Sequence, residues 1–140
     1  MKQETSPMYA VEVRDRIMIA HSLPDPFFGP AQNMHGATFV VDVAFFRECL
    51  TSKNVVADIG LALEVLHKTL KPLAYSNLDA QPEFKGILTT TEFLCKHIFD
   101  RMAEAARSGA LGADGQGLAK IRVTLSETDL ARAIYEGTLT

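Results

Sequence analysis

Cysteine is scarce in this sequence, and tryptophan is absent from its 140 residues. The two cysteines, Cys49 and Cys95, lie far apart and form no CxxC pair, so nothing in their spacing supports a redox dithiol or a zinc knuckle. Cys95 stands among apolar neighbours such as Leu94 and Ile98, which is typical of a buried structural thiol. Neither cysteine is therefore a candidate nucleophile.

Positive charge and long apolar runs are also lacking. The 14 Lys and Arg residues against 17 Asp and Glu residues give a net charge of −3, and no basic cluster marks a nucleic-acid surface. No window approaches the ~20 apolar residues of a membrane span, and the opening MKQETSP is too polar for a signal peptide or anchor. We expect a cytoplasmic protein with a small-molecule partner, no nucleic acid and no membrane.

The composition that is present predicts one folded domain over residues 1–140. Hydrophobic residues make up 47% of the chain and charged residues 22%, which is ordinary for a globular protein of this length.

The first two predicted elements of the chain are β-strands. Residues 9–20 predict a strand that ends at His21, and residues 34–46 predict a second strand with His35 near its start.

The segment between these strands, SLPDPFFGPAQN, contains three prolines and a glycine, and this composition predicts a loop. Because roughly a dozen residues are too few for a helical crossover, the two strands should pair in antiparallel fashion. His21 and His35 would then lie at the same end of the sheet.

Two helices and two more strands follow. Asp58 is the predicted N-cap of a helix that closes at Pro72. Thr89 and Glu92 form a predicted capping box for a second helix, which stops near Gly109. Residues 119–125 and 130–136 then predict a strand hairpin. The order ββααββ predicts an α+β fold with a four-stranded antiparallel sheet and both helices on one face.

Several apolar strand residues exceed what two helices would cover. Val11, Val13, Phe39 and Val40 cannot all find partners beneath them, so the second sheet face should meet other copies of the chain. We therefore expect a homo-oligomer built through the sheet.

The chain resembles the 6-pyruvoyl-tetrahydropterin synthases and the bacterial 6-carboxy-tetrahydropterin synthases from Tyr9 to Gly137. The likeness is carried by the element order and by five short motifs in the same order: Ala20-His21, Met34-His35-Gly36, Val56-Ala57-Asp58-Ile59, Thr90-Thr91-Glu92 and Ser126-Glu127-Thr128. It implies the tunnelling fold, a trimer-based hexamer with sites at subunit borders, and a lyase that acts on 7,8-dihydroneopterin triphosphate.

The resemblance also implies a zinc site, which this chain matches only in part. In the family, a histidine that ends the first strand and an HxH motif on the second bind zinc. His21 and His35 match two of these ligands, and Ala37 stands at the third. Either a loop, a neighbouring subunit or the ligand supplies the third zinc donor, or the two histidines are only hydrogen-bonded at a strand end.

The catalytic positions implied by the resemblance are replaced. Ala31 aligns with the family's cysteine, and Leu73-Ala74-Tyr75 stands where the family has Leu-Asp-His. Any remaining chemistry needs another acid or base, and the candidates in the adjoining loops are Asp25, Tyr75 and Asp79. Both aspartates are also common turn residues, and Tyr75 could simply cover the core with its hydroxyl in water.

The recognition residues match the family better. Glu127 matches the glutamate that binds the 2-amino and N3–H edge of a pterin, while Thr90 and Glu92 match a PTxE motif in which Thr89 replaces the proline. Three functions stay open: a pterin- or purine-binding homologue with altered or lost lyase chemistry, an active lyase, and a structural oligomer. The last predicts that the histidines and Glu127 do not converge.

Overall fold

A computed structural model describes residues 6–139 of the chain. The polar start, expected to be neither signal peptide nor anchor, lies outside this range over residues 1–5. In the described part, one five-stranded sheet has the strand order β3-β1-β2-β4-β5. The elements are β1 (Tyr9–His21), β2 (His35–Arg47), α1 (Ile59–Leu70), β3 (Ser76–Asn77), α2 (Thr91–Arg107), β4 (Lys120–Ser126) and β5 (Arg132–Thr138).

The predicted α+β class and the ββααββ order of the main elements are confirmed. The sheet differs from the prediction by one short strand, because β3 pairs in parallel with β1 at Ile19 and Ala20. The chain reaches this edge through Tyr75, which has a left-handed φ of 56° and donates its backbone N–H to the carbonyl of Met18. A strand of two residues has no periodicity that a sequence pattern could reveal.

The antiparallel pairing of β1 with β2 is confirmed, and the structure adds its register. Tyr9 lies opposite Arg47 at one end, and His21 lies opposite His35 at the other. Since side chains alternate along a strand, residues paired across the ladder point to the same face. The register therefore brings both histidines together at one corner of the sheet.

Both helices cover one face of the sheet, and the core lies between them. Phe39 and Phe45 of β2 pack there with Leu66 of α1 and Ile98 of α2. Of the four apolar residues expected to exceed the helices' cover, Val13 and Phe39 are only 4% and 1% exposed in this core, whereas Val40 is half-buried on the other face of the sheet. The odd-numbered positions of β1 and β2 point toward the helices, while the even-numbered positions of the same strands face away.

The face away from the helices is largely polar. Arg14 of β1 makes a two-point ion pair with Asp42 of β2, at 2.6 and 2.9 Å. Lys120 and Arg122 of β4 both donate to Glu136 of β5. The same face also exposes Met18 and Ile134, at 52% and 59%, so its contact with another copy of the chain stays a prediction.

The structure confirms the predicted N-cap of α1 and corrects that of α2. Asp58 accepts the backbone N–H of Leu61 at 3.1 Å, which confirms it as the N-cap of α1. At α2, Thr90 is the N-cap and accepts the N–H of Phe93, so the predicted Thr89–Glu92 capping box is wrong. Because α2 starts one residue later than predicted, Glu92 stands too early in the helix to complete that box.

Among the described residues, no helix is long and apolar enough to cross a bilayer.

Arg47 joins the end of β2 to the loops below the sheet. Its side chain is 9% exposed and donates to the carbonyls of Val56 at 3.0 Å, Asp114 at 2.8 Å, and Gln116. A guanidinium suits this role because its several N–H groups point in fixed directions. This contact orders three separate stretches of chain at the end of the sheet opposite the histidines.

Candidate functional site

The two strand-end histidines form the centre of the candidate site. The rings of His21 and His35 meet edge to face, with centroids 4.6 Å apart. His21 is buried and His35 is half-buried, so the pair lies where the core reaches the surface. The prediction that both histidines come from the same end of the sheet is confirmed.

Each histidine is oriented through its Nδ1 atom. His21 Nδ1 lies 2.9 Å from the hydroxyl of Thr89, and His35 Nδ1 donates to the carbonyl of Asn33 at 2.8 Å. No described residue hydrogen-bonds to either Nε2 atom. A histidine fixed through Nδ1 presents its Nε2 atom to whatever the site binds.

His21 is held in its neutral form. Burial is the largest cause that lowers the pKa of His21, and the neighbouring His35 lowers it further. Asp79 and Glu127 act in the opposite direction, which places both carboxylates within electrostatic range of the ring. At neutral pH, the Nε2 atom of His21 therefore belongs to an uncharged imidazole.

The histidines predict a pH dependence of folding. The folded-state pKa values of His21 and His97 are both lowered, chiefly by burial, from an ordinary value of 6.5. The unfolded chain therefore binds more protons than the folded one in mildly acidic solution, and stability falls as pH drops through that value. We expect a lower free energy of unfolding at about pH 5 than at about pH 7.5, by up to roughly 1.4 kcal/mol per group and pH unit, and therefore a lower urea midpoint.

The double variant His21→Gln, His97→Gln should lose most of this difference between the two pH values. Glu136, whose pKa is lowered from 4.5 by Arg122 and Lys120, affects stability only in more acidic solution. An equal fall in midpoint for the wild type and the double variant would contradict the assignment.

Glu127 lies at the same end of the sheet, directly after β4. Its Oε2 atom accepts a hydrogen bond from the hydroxyl of Thr91 at 3.2 Å. Both residues line a pocket of about 290 Å³, together with Glu92, Ala131, Arg132 and Ala133. Two carboxylates thus face one small pocket, an arrangement suited to a ligand with several N–H donors.

Three consecutive threonines connect this pocket to the histidines. Thr89 contacts His21, Thr90 caps α2 through Phe93, and Thr91 donates to Glu127. Thr90, which the resemblance assigned to ligand binding, accepts the backbone N–H of Phe93, and its role toward a ligand stays a prediction. Sequence reasoning missed the positioning roles of Thr89 and Thr91, and only the run of three threonines could have drawn attention to them.

The three candidate acids or bases occupy different surroundings. Asp79 accepts the backbone N–H of Ser22 at 3.2 and 3.1 Å and also its hydroxyl, beside the end of β1. Asp25 accepts the N–H of Phe27 at 2.9 Å and so caps a short 3-10 turn. Tyr75 is 87% exposed, so it does not cover the core. Of these residues, Asp79 acts electrostatically on His21, whose pKa it raises.

The side chains of the candidate site do not provide three zinc ligands from one chain. Among residues 6–139, no group of three or more His, Cys, Asp and Glu side chains is placed to hold a metal ion. Ala37, which follows His35 on the same strand face, has only a methyl group. Catalytic zinc sites ordinarily have three protein ligands, so the imidazoles of His21 and His35 alone do not form such a site.

A larger groove lies between the two helices and is separate from this site. It has a volume of about 730 Å³ and a floor that includes Val65 and Leu73. Its charged side chains are largely paired with one another, as in the contact between Lys68 and Glu64. It shares no lining residue with the pocket beside Glu127.

The family model for 6-pyruvoyl tetrahydropterin synthase matches residues 10–138, which is nearly the whole chain. This chain belongs to that family. The membership agrees with the element order, with the paired strand-end histidines and with Glu127 after β4. The resemblance read from the five short motifs is thereby confirmed.

Solved structures of the family share the fold at low sequence identity. The 6-pyruvoyl tetrahydropterin synthase of Caenorhabditis elegans is 22% identical with a TM-score of 0.77, and the match covers 97% of this chain and 100% of that one. The Plasmodium vivax enzyme is 16% identical with a TM-score of 0.74, covering 94% and 99%. The Plasmodium falciparum enzyme is 15% identical with a TM-score of 0.72, covering 94% and 98%. No curated protein sequence matches this chain.

Proposed function

We propose that this chain binds a pterin- or purine-type ligand in the pocket beside Glu127 and that its lyase chemistry is altered or lost. The observation that carries the proposal is the hydrogen bond from Thr91 to Glu127 Oε2, which orients the carboxylate at the pocket. A carboxylate accepts two parallel N–H bonds from a 2-amino and ring N–H edge. Pterins and guanines both have this edge.

The replaced positions support the second half of the proposal. Ala31 stands where the family has its cysteine, and Ala74 and Tyr75 stand where it has aspartate and histidine. The buried thiol of Cys95 does not compensate. Cys95 donates to the carbonyl of Val123 inside the core, and burial raises its pKa to about 11. A thiol kept protonated in this way is not a nucleophile.

The histidine pair has a binding role in this proposal. Because His35 donates through Nδ1 to Asn33, its Nε2 atom is an acceptor for a ligand hydroxyl group. The pair is linked to Glu127 through the start of α2, where Thr89 contacts His21 and Thr91 donates to Glu127, and this link argues against a purely structural oligomer. The ligand would extend from Glu127 toward the histidines.

Assembly into trimers or hexamers is part of the same proposal. β3 pairs with β1 only at Ile19 and Ala20, so the edge of β1 from Tyr9 to Met18 has no strand beside it in the described chain. β5 forms the other edge of the sheet. Unpaired edges are ready to pair with another copy, and a neighbouring subunit would then border the ligand pocket.

An active lyase is the second candidate, and Asp79 favours it. Its carboxylate lies beside Ser22 and raises the pKa of His21, so an acid or base is near the site. Two solved structures of the Plasmodium vivax enzyme are described as variants of a catalytic glutamate. A carboxylate thus serves as a catalytic residue in that family member. In this candidate, zinc would need a donor from outside the described chain.

One experiment separates these functions. Neopterin and guanosine are titrated into the purified protein by calorimetry, and 7,8-dihydroneopterin triphosphate is incubated with it, with and without added zinc, for product analysis by chromatography. We expect saturable binding and no product. Product formation above a no-enzyme control would establish the lyase instead, and the absence of binding by either compound would favour the structural oligomer.

A further inference from the structure

The histidine pair offers two imidazoles to a metal ion, and its neighbours offer little else. His21 and His35 are fixed through Nδ1 by Thr89 and Asn33, which leaves one Nε2 atom on each ring. A zinc ion needs at least one more protein donor to be held firmly. The other polar groups at this corner of the sheet therefore decide whether the pair retains zinc.

The nearby carboxylates and the carbonyl of Asn33 are held in place by hydrogen bonds. Asp79 accepts the backbone N–H and the hydroxyl of Ser22. Glu127 accepts the hydroxyl of Thr91, and the carbonyl of Asn33 accepts from His35. Moving any of these groups onto a metal ion would break contacts that hold the strand ends and the start of α2 in place.

Position 37 is where a third donor would complete the set. Ala37 lies two residues after His35 on β2, so its side chain is on the same face of the strand. It pairs with Ile19, which lies two residues before His21 on β1. Thr38, one residue further, is exposed and points to the opposite face.

We infer that the histidine pair of this chain does not retain zinc and that the alanine at position 37 is the reason. The site is thus a hydrogen-bonding pair rather than a metal centre. A donor introduced at position 37 restores zinc binding without any other change. This inference concerns the metal alone and does not depend on which ligand the pocket binds.

The test compares the wild type with Ala37→His and Thr38→His, and uses zinc itself as the probe. Each protein is loaded with excess zinc and passed through a desalting column, and its metal content is measured by mass spectrometry. Competition with a chelator then gives the affinity. We expect stoichiometric zinc only in Ala37→His, with an affinity on the order of 100-fold above that of the wild type.

Thr38→His adds the same imidazole on the other face, and it should remain at the wild-type level. Ala37→Cys provides a smaller donor in case the larger ring disturbs the fold, which circular dichroism monitors. Stoichiometric zinc in the wild type that is lost in His21→Ala would overturn the inference. So would folded variants at position 37 that bind zinc no better than Thr38→His. Neither result would alter the outcome of the pterin titration.

Discussion

Glutamine in place of Glu127 is expected to weaken the binding of neopterin by about 1.5 to 3 kcal/mol, which is roughly 10- to 150-fold in dissociation constant. The carboxylate accepts two N–H bonds from the ligand edge, whereas an amide offers one acceptor and turns a donor toward a donor. The hydrogen bond from Thr91 holds the carboxylate ready before the ligand arrives. Titration calorimetry of both proteins measures the difference.

Asp129→Asn is the matched control for this prediction. Asp129 is exposed between β4 and β5, close to Glu127 in sequence, and the variant removes the same charge without touching the pocket lining. We expect its affinity to equal that of the wild type. An unchanged affinity in Glu127→Gln would remove Glu127 from the site, and an equal loss in both variants would assign the effect to net charge.

The substitution Arg47→Met is expected to lower the free energy of unfolding by about 3 kcal/mol. Arg47 is buried and donates to the carbonyls of Val56, Asp114 and Gln116. A methionine fills much of the same volume but leaves these acceptors without their charged donor. Urea unfolding followed by circular dichroism gives the change, provided that the slope of the transition is the same in both proteins.

Arg16→Met provides the comparison for Arg47. Arg16 is an exposed residue of β1, and substitutions at such positions usually change stability by less than about 0.5 kcal/mol. A similar change for the two variants would mean that the three carbonyls find other partners when Arg47 is removed. Far-UV spectra at neutral pH check that both variants keep the native fold.

The pairing of β1 with β2 shows how far sequence reasoning reached. A period of two on each side of a proline-rich loop predicted two strands, and the loop was too short for a crossover. These local facts were enough to place His21 and His35 at the same end of the sheet, and the structure shows that they lie directly opposite each other. Register follows because one face of each strand is apolar, and a shift by one residue would turn Phe39 and Val43 away from the core.

The predictions that were wrong concern residues whose environment is set by distant parts of the chain. Thr89 matched a helix cap in sequence, yet its hydroxyl is used by His21, 68 residues away. The strand pattern also did not show which apolar strand residues the helices cover. Val13 and Phe39 are in the core that α1 and α2 form with the sheet.

The sequence by itself determined the element order and the family, and its resemblance to that family predicts differences at Ala31, Ala37, Ala74 and Tyr75. These features are local, since strand periodicity, helix caps and short motifs are read within a few residues. The tertiary structure decided how the site is assembled. Thr89 reaches His21, and Thr91 reaches Glu127 across 36 residues, because packing α2 against the sheet brings its N-terminus to the strand ends. Such contacts leave no periodic signal in the chain, so only the folded arrangement shows which side chains position the site.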